Sequence, residues 1–136
     1  MISNPEKLTC VSLIVCERVF RDESTKNLII VATFNQIIAQ AIPCMHPALS
    51  VLMTLTNGHG KYNLELRIEH DMTSREVVQM SGPLEINDPL HVGDVHVAFK
   101  NVQFPAEGKY WVMVLADNEI IGQRPFWVTK APNSTA

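Results

Sequence analysis

The stretch Phe104-Pro105-Ala106-Glu107-Gly108-Lys109-Tyr110-Trp111-Val112-Met113-Val114-Leu115-Ala116-Asp117-Asn118-Glu119 decides the fold. Pro-Ala-Glu-Gly is a turn, because Pro fixes φ and Gly accepts a positive φ. Tyr110 then opens an apolar run. Asp117-Asn118 is a second turn, and residues 120–128 resume the apolar character. The pattern predicts the closing hairpin of an antiparallel β-sandwich. Gly108-x-Tyr110 after a turn matches the tyrosine corner of immunoglobulin-like sandwiches, where the phenol bonds the backbone just upstream. The plainer reading is a tyrosine that simply begins a strand, and replacement by Phe separates the two. Val112 stands where antibody domains carry a disulfide cysteine, so any likeness is to the architecture.

Outward from this hairpin, short strands alternate with turn signals at sandwich spacing. Residues 9–20 form the first strand and 21–27 a charged turn. Residues 28–34 form the second, running into a segment that ends near 42. There Phe34, Ile37, Ile38 and Ala41 also fit one amphipathic helical turn, but a strand with a bulge is favoured. Pro43 and Pro47 break the chain. Residues 49–56 and 62–70 follow as strands, and Asn57-Gly58-His59-Gly60 between them reads as a hairpin turn. Residues 75–80 make a strand that Ser81-Gly82-Pro83 breaks, with 84–86 as an edge continuation. Residues 92–102 precede the closing hairpin. Leu49, Val51, Met53 and Leu55 share one face, and Leu64, Leu66 and Ile68 oppose Glu65, Arg67 and Glu69. This is the signature of half-buried antiparallel strands. The expectation is an all-β immunoglobulin-like sandwich of seven or eight strands over residues 8–129. A loose arm (1–7) and a polar tail (130–136) flank it.

The chain has 136 residues, 46% of them apolar and 18% charged, with a net charge of −3. That suits one ordered domain. There is no Lys/Arg block to release counterions from a nucleic acid. No apolar run approaches the about 20 residues of a membrane helix. The three cysteines are Cys10, Cys16 and Cys44. On one extended strand Cys10 and Cys16 would stand about 20 Å apart, beyond the about 7 Å a disulfide tolerates. A sparse, odd set of cysteines fits a reducing, cytoplasmic setting.

Val15-Cys16-Glu17-Arg18-Val19-Phe20-Arg21-Asp22 and Phe104-Pro105-x-x-Gly108-x-Tyr110 resemble the framework of a family of small, uncharacterised bacterial β-sandwich proteins. The resemblance covers nearly the whole chain. It implies a bacterial, single-domain, non-secreted protein and implies no activity.

Candidates for chemistry are sparse. Five histidines lack the paired spacing of zinc ligands. Cys44-x-His46 could pair a thiol with a base, but a nucleophile also needs oxyanion donors. His91, Asp94 and His96 are the metal candidates, against a solvated strand face. Asn87, Asp88 and Asp94, near Glu85, form an acidic loop that Pro89-Leu90 interrupts, so calcium is not expected. No cofactor is expected.

The more suggestive pattern is apolar residues on both faces of one strand. Tyr110, Val112 and Val114 make one face, and Trp111, Met113 and Leu115 the other. Residues 28–31 are likewise apolar on both sides, and Trp127 alternates away from Phe126 and Val128. A two-layer sandwich buries one face per sheet, so either residues 34–47 or another molecule covers the second. Trp111, Met113, Leu115 and Trp127 are the predicted association patch. The expected function is non-enzymatic self-association or docking on a larger protein partner, with no nucleic acid and no membrane. The alternatives are a small-ligand or metal module on the loops and a structural subunit of a larger assembly.

Overall fold

The computed structural model describes residues 7–132, so the ends of the predicted arm and tail (1–6, 133–136) lie outside the described residues. Nine strands run through it: β1 (Thr9–Arg21), β2 (Leu28–Thr33), β3 (Gln36–Ala39), β4 (Cys44–Thr56), β5 (Gly60–His70), β6 (Glu76–Ile86), β7 (Gly93–Phe104), β8 (Gly108–Ala116) and β9 (Glu119–Lys130). They form a four-stranded sheet, order β2-β1-β4-β7, and a five-stranded sheet, order β3-β9-β8-β5-β6. The chain is an immunoglobulin-like β-sandwich with no helix among the described residues.

The alternating positions meet between the sheets. Val15, Leu49 and Val51 of one sheet and Ile68, Val112 and Val114 of the other are fully buried. The closing hairpin forms where the sequence places it. Asp117 and Asn118 both take positive φ (48° and 69°), as a two-residue turn between right-twisted strands requires. The tyrosine corner is present: Tyr110 Oη donates to the Ala106 carbonyl at 2.7 Å. Its ring stacks on Phe126 at 5.8 Å and meets Phe104 edge-on at 5.1 Å.

Five local expectations change. The strands number nine among the described residues, because residues 36–39 form a separate strand and not a helical turn. β3 pairs in parallel with β9, with Ile37 beside Val128, which puts Ile37 into the core. Asn57-Gly58-His59-Gly60 makes a tight turn (Asn57 φ 66°, Gly60 φ 108°), but its strands do not pair. β4 and β5 lie in opposite sheets, so the turn is an arch across the sandwich. β6 runs unbroken through Gly82-Pro83, because a sheet-edge strand tolerates a residue without an N–H. β4 begins at Cys44 and passes through Pro47, which lies beyond the last β1–β4 pair, Cys16 with Ser50. The predicted tail also starts later than residue 130. Lys130 pairs with Ala39, and the Ala131 N–H donates to the Ala39 carbonyl at 2.7 Å.

Candidate functional site

Trp111, Met113 and Leu115 project from the face of β8 opposite the buried Tyr110, Val112 and Val114. That face is not open. Met113 is 9% and Leu115 3% exposed. Glu65, Arg67 and Glu69 of β5 stand opposite Leu115, Met113 and Trp111. Arg67 Nε lies 2.9 Å from Glu65 Oε2, and Nη1 lies 3.8 Å from Glu69 Oε2. Nε makes a charge contact without hydrogen-bond alignment. Such side chains lay their methylenes on apolar surface and keep their heads wet. Trp111 Nε1 donates to Asp71 Oδ1 at 2.9 Å, and Lys109 Nζ sits 4.6 Å from the ring centroid. The predicted four-residue patch is therefore corrected. Met113 and Leu115 lie in mid-sheet between Arg67 and Glu65 of β5 and Gln123 and Ile120 of β9, and these neighbouring strands, not residues 34–47, flank them. Of the four, Trp127 alone is widely exposed, at 51%.

The metal candidates separate. Asp94 and His96 share the outer face of β7, where Thr54 Oγ1 donates to Asp94 Oδ1 at 2.7 Å. His91 precedes the strand and lines a cavity with Asp94. Among the described residues, no three His, Cys, Asp or Glu side chains converge as a metal site. Cys44 stands opposite Phe104, and His46 opposite Val102 with its ring edge-on to Phe34 at 5.5 Å. Burial pushes the Cys44 thiol up in pKa, opposite to the shift that activates a nucleophile. Burial likewise raises the Cys10 and Cys16 thiols. His46 is held below the ordinary imidazole value by burial, with Glu17 pulling the other way. Its Nε2 is buried without a hydrogen-bond partner among the described residues. All three cysteines are free.

Besides Trp127, two apolar regions lie open. One is the gap between β6 and β7, the edge strands of opposing sheets. Met80 and Leu84 from one side and Val95 and Val97 from the other line an apolar slot of about 230 Å3. Through Leu84 and Val95 it continues into a cavity of about 440 Å3 rimmed by Glu85, Asp88, His91 and Asp94. The other is the far end of the β1–β2 hairpin. β1 parts from β4 after Cys16 but stays paired with β2 as far as Arg21. Phe20 (49% exposed) lies opposite Ile29 (47%), with Val31 and Ile30 also exposed. Phe20 and Met80 were missed from the sequence. The double-sided apolar run at 28–31 was the available signal for the first, through its hairpin partner.

The structure resembles part of the Pseudomonas fluorescens alkylpurine DNA glycosylase AlkC bound to DNA containing an abasic-site analogue. The TM-score is 0.56 at 10% identity, over 90% of this chain and 30% of that one. The chain thus spans under a third of that protein's length, and the likeness is one of fold. An immunoglobulin-like protein from Pseudomonas aeruginosa aligns at TM-score 0.49 and 11% identity, over 91% of this chain and 98% of that one. Comparison with curated proteins returns no match. The model of a family of unknown function, DUF6941, matches residues 11–129. The chain therefore belongs to DUF6941.

Proposed function

We propose that this chain is a non-enzymatic association module of the bacterial cytoplasm. It works by burying strand surface against protein partners, a second copy of itself among them. One observation carries the reading. Past its last pair with β4, the β1–β2 hairpin shows Phe20 and Ile29 on one side and Ile30 on the other, all at least 37% exposed. A hairpin that is apolar on both sides and outside the core is a partner surface in waiting. Its burial yields about 25 cal/mol per Å2 before the costs of association. The framework resemblance supports a bacterial source. Three free, buried or half-buried thiols support a reducing compartment. Their raised pKa values support a role without covalent chemistry.

The test is a double variant, Phe20→Ser with Ile29→Ser. The immobilised wild type is expected to retain one protein partner reproducibly from bacterial extract, and the variant to lose it at an unchanged melting temperature. A wild type that sediments as a monomer and retains no partner that the variant lacks would overturn the reading.

A further inference from the structure

We propose that two copies pair through β7, edge to edge and antiparallel about a two-fold axis at Val97. The proposal rests on the association reading above but uses a different strand. Sheet edges carry unpaired N–H and C=O groups, and natural proteins blunt them. Among the described residues, three of the four edges are blunted. β2 leaves the extended conformation at Ala32 (φ 57°), and β3 has only four residues. β6 carries Gly82-Pro83 in mid-strand. β7 has twelve residues and stays in unbroken register with β4. It contains no Pro or Gly from Asp94 to Lys100, and regularity ends at Asn101, whose φ is 55°. Among the described residues, no strand pairs with its far side.

Two identical strands related by a two-fold axis normal to the sheet must place like-facing residues opposite each other. The axis therefore passes through a residue. With the axis at Val97, Asp94 falls opposite Lys100 of the second copy, and Lys100 opposite its Asp94. Both side chains lie on the exposed outer face. Thr54 occupies only Oδ1 of Asp94, so Oδ2 is free to meet the ammonium group. Val95 falls opposite Phe99, and Val97 opposite itself, on the inner face. An axis at His96 puts Asp94 against Ala98, and one at Ala98 puts His96 against Lys100. Only the Val97 register is charge-complementary among these three. It also turns the two apolar slots toward each other, so that Met80, 50% exposed in the single copy, is covered by its counterpart's side of the slot.

Sedimentation velocity on four proteins tests this. The wild type is expected to dimerise. Asp94→Lys and Lys100→Asp each set like charges opposite in two symmetry-related pairs, which weakens the dimer by about tenfold or more. The double variant D94K/K100D recovers it. An equimolar mixture of the two single variants forms a heterodimer, because every pair is then complementary. Both side chains are exposed, so at concentrations where the wild type is monomeric the melting temperatures differ by no more than the loss of the Thr54–Asp94 hydrogen bond, and at higher concentrations each single variant melts lower in step with its weaker dimer. A wild type that is monomeric at hundreds of micromolar overturns the proposal. So does a dimer indifferent to both reversals. If that dimer instead falls to the Phe20/Ile29 variant, the association reading survives and the β7 interface does not.

Discussion

Around Phe104, Tyr110 and Phe126 the two sheets are locked by three fully buried rings, with centroids 5.1 to 5.8 Å apart. Between β6 and the first half of β7 the same sheets meet through Met80, Leu84, Val95 and Val97, none of them fully buried. The first region spends its apolar area inside the domain. The second leaves it at a seam whose neighbouring edge is long, in unbroken register with β4 and, among the described residues, unpaired on its far side. On the proposal above, stability and association fall to different parts of one sandwich. The aromatic corner can hold the fold while the seam stays free to meet something else.

The sharpest way to break this contrast is Phe126→Ala. It should cost about 3–5 kcal/mol in urea unfolding, as deletion of a fully buried ring does. A loss near 1 kcal/mol would mean the corner does not carry the fold. Next is Gly108→Ala. Gly108 holds φ 125°, and a Cβ there would come 3.0 Å from His70 Nε2, the atom that lies 2.8 Å from the Glu107 carbonyl. Strained backbone plus that contact predict a loss of about 1–3 kcal/mol. Tyr110→Phe keeps the ring and removes only the hydroxyl that donates to Ala106. The expected cost is about 1 kcal/mol by thermal or urea denaturation. Met80→Ala, at the seam, should fall within about 0.5 kcal/mol in the monomer, since half its surface is already wet.

The smallest effect is a slope. Burial keeps His46 below the ordinary imidazole pKa, about 6.5 in an unfolded chain. The unfolded state therefore takes up that proton first as pH falls. The contribution of neutral His46 is whole above that value and is lost as pH drops toward the lowered folded-state one. Urea midpoints at pH 7 and pH 5 should differ more for the wild type than for His46→Gln. Equal differences would place His46 in a wetter setting.

Legibility from the sequence followed distance along the chain. The β8–β9 hairpin and the Tyr110 corner were readable because their turns and partners lie within a few residues. The arch at residues 57–60 was misread as a hairpin for the same reason. Its turn chemistry is local, but which sheet each flanking strand joins depends on β7 and β8, far downstream. The outward apolar face of β8 was seen correctly as apolar. Its cover was not foreseen, because Glu65, Arg67 and Glu69 read as a solvated face until β5 is known to lie beside β8. The regular run from Asp94 to Lys100 is plain in the sequence. That it forms an outer strand is a property of sheet order, which periodicity does not encode.

The parallel pairing of β3 with β9 ties residues 36–39 to residues 127–130. During synthesis the ribosome must therefore release residues 127–130 before Ile37 and Ala39 find their strand partner. Nascent intermediates carry that greasy segment bare, which makes the closing strand a checkpoint. Stop codons a few positions before Phe126 should send the product to chaperones and proteases instead of yielding a shorter working domain.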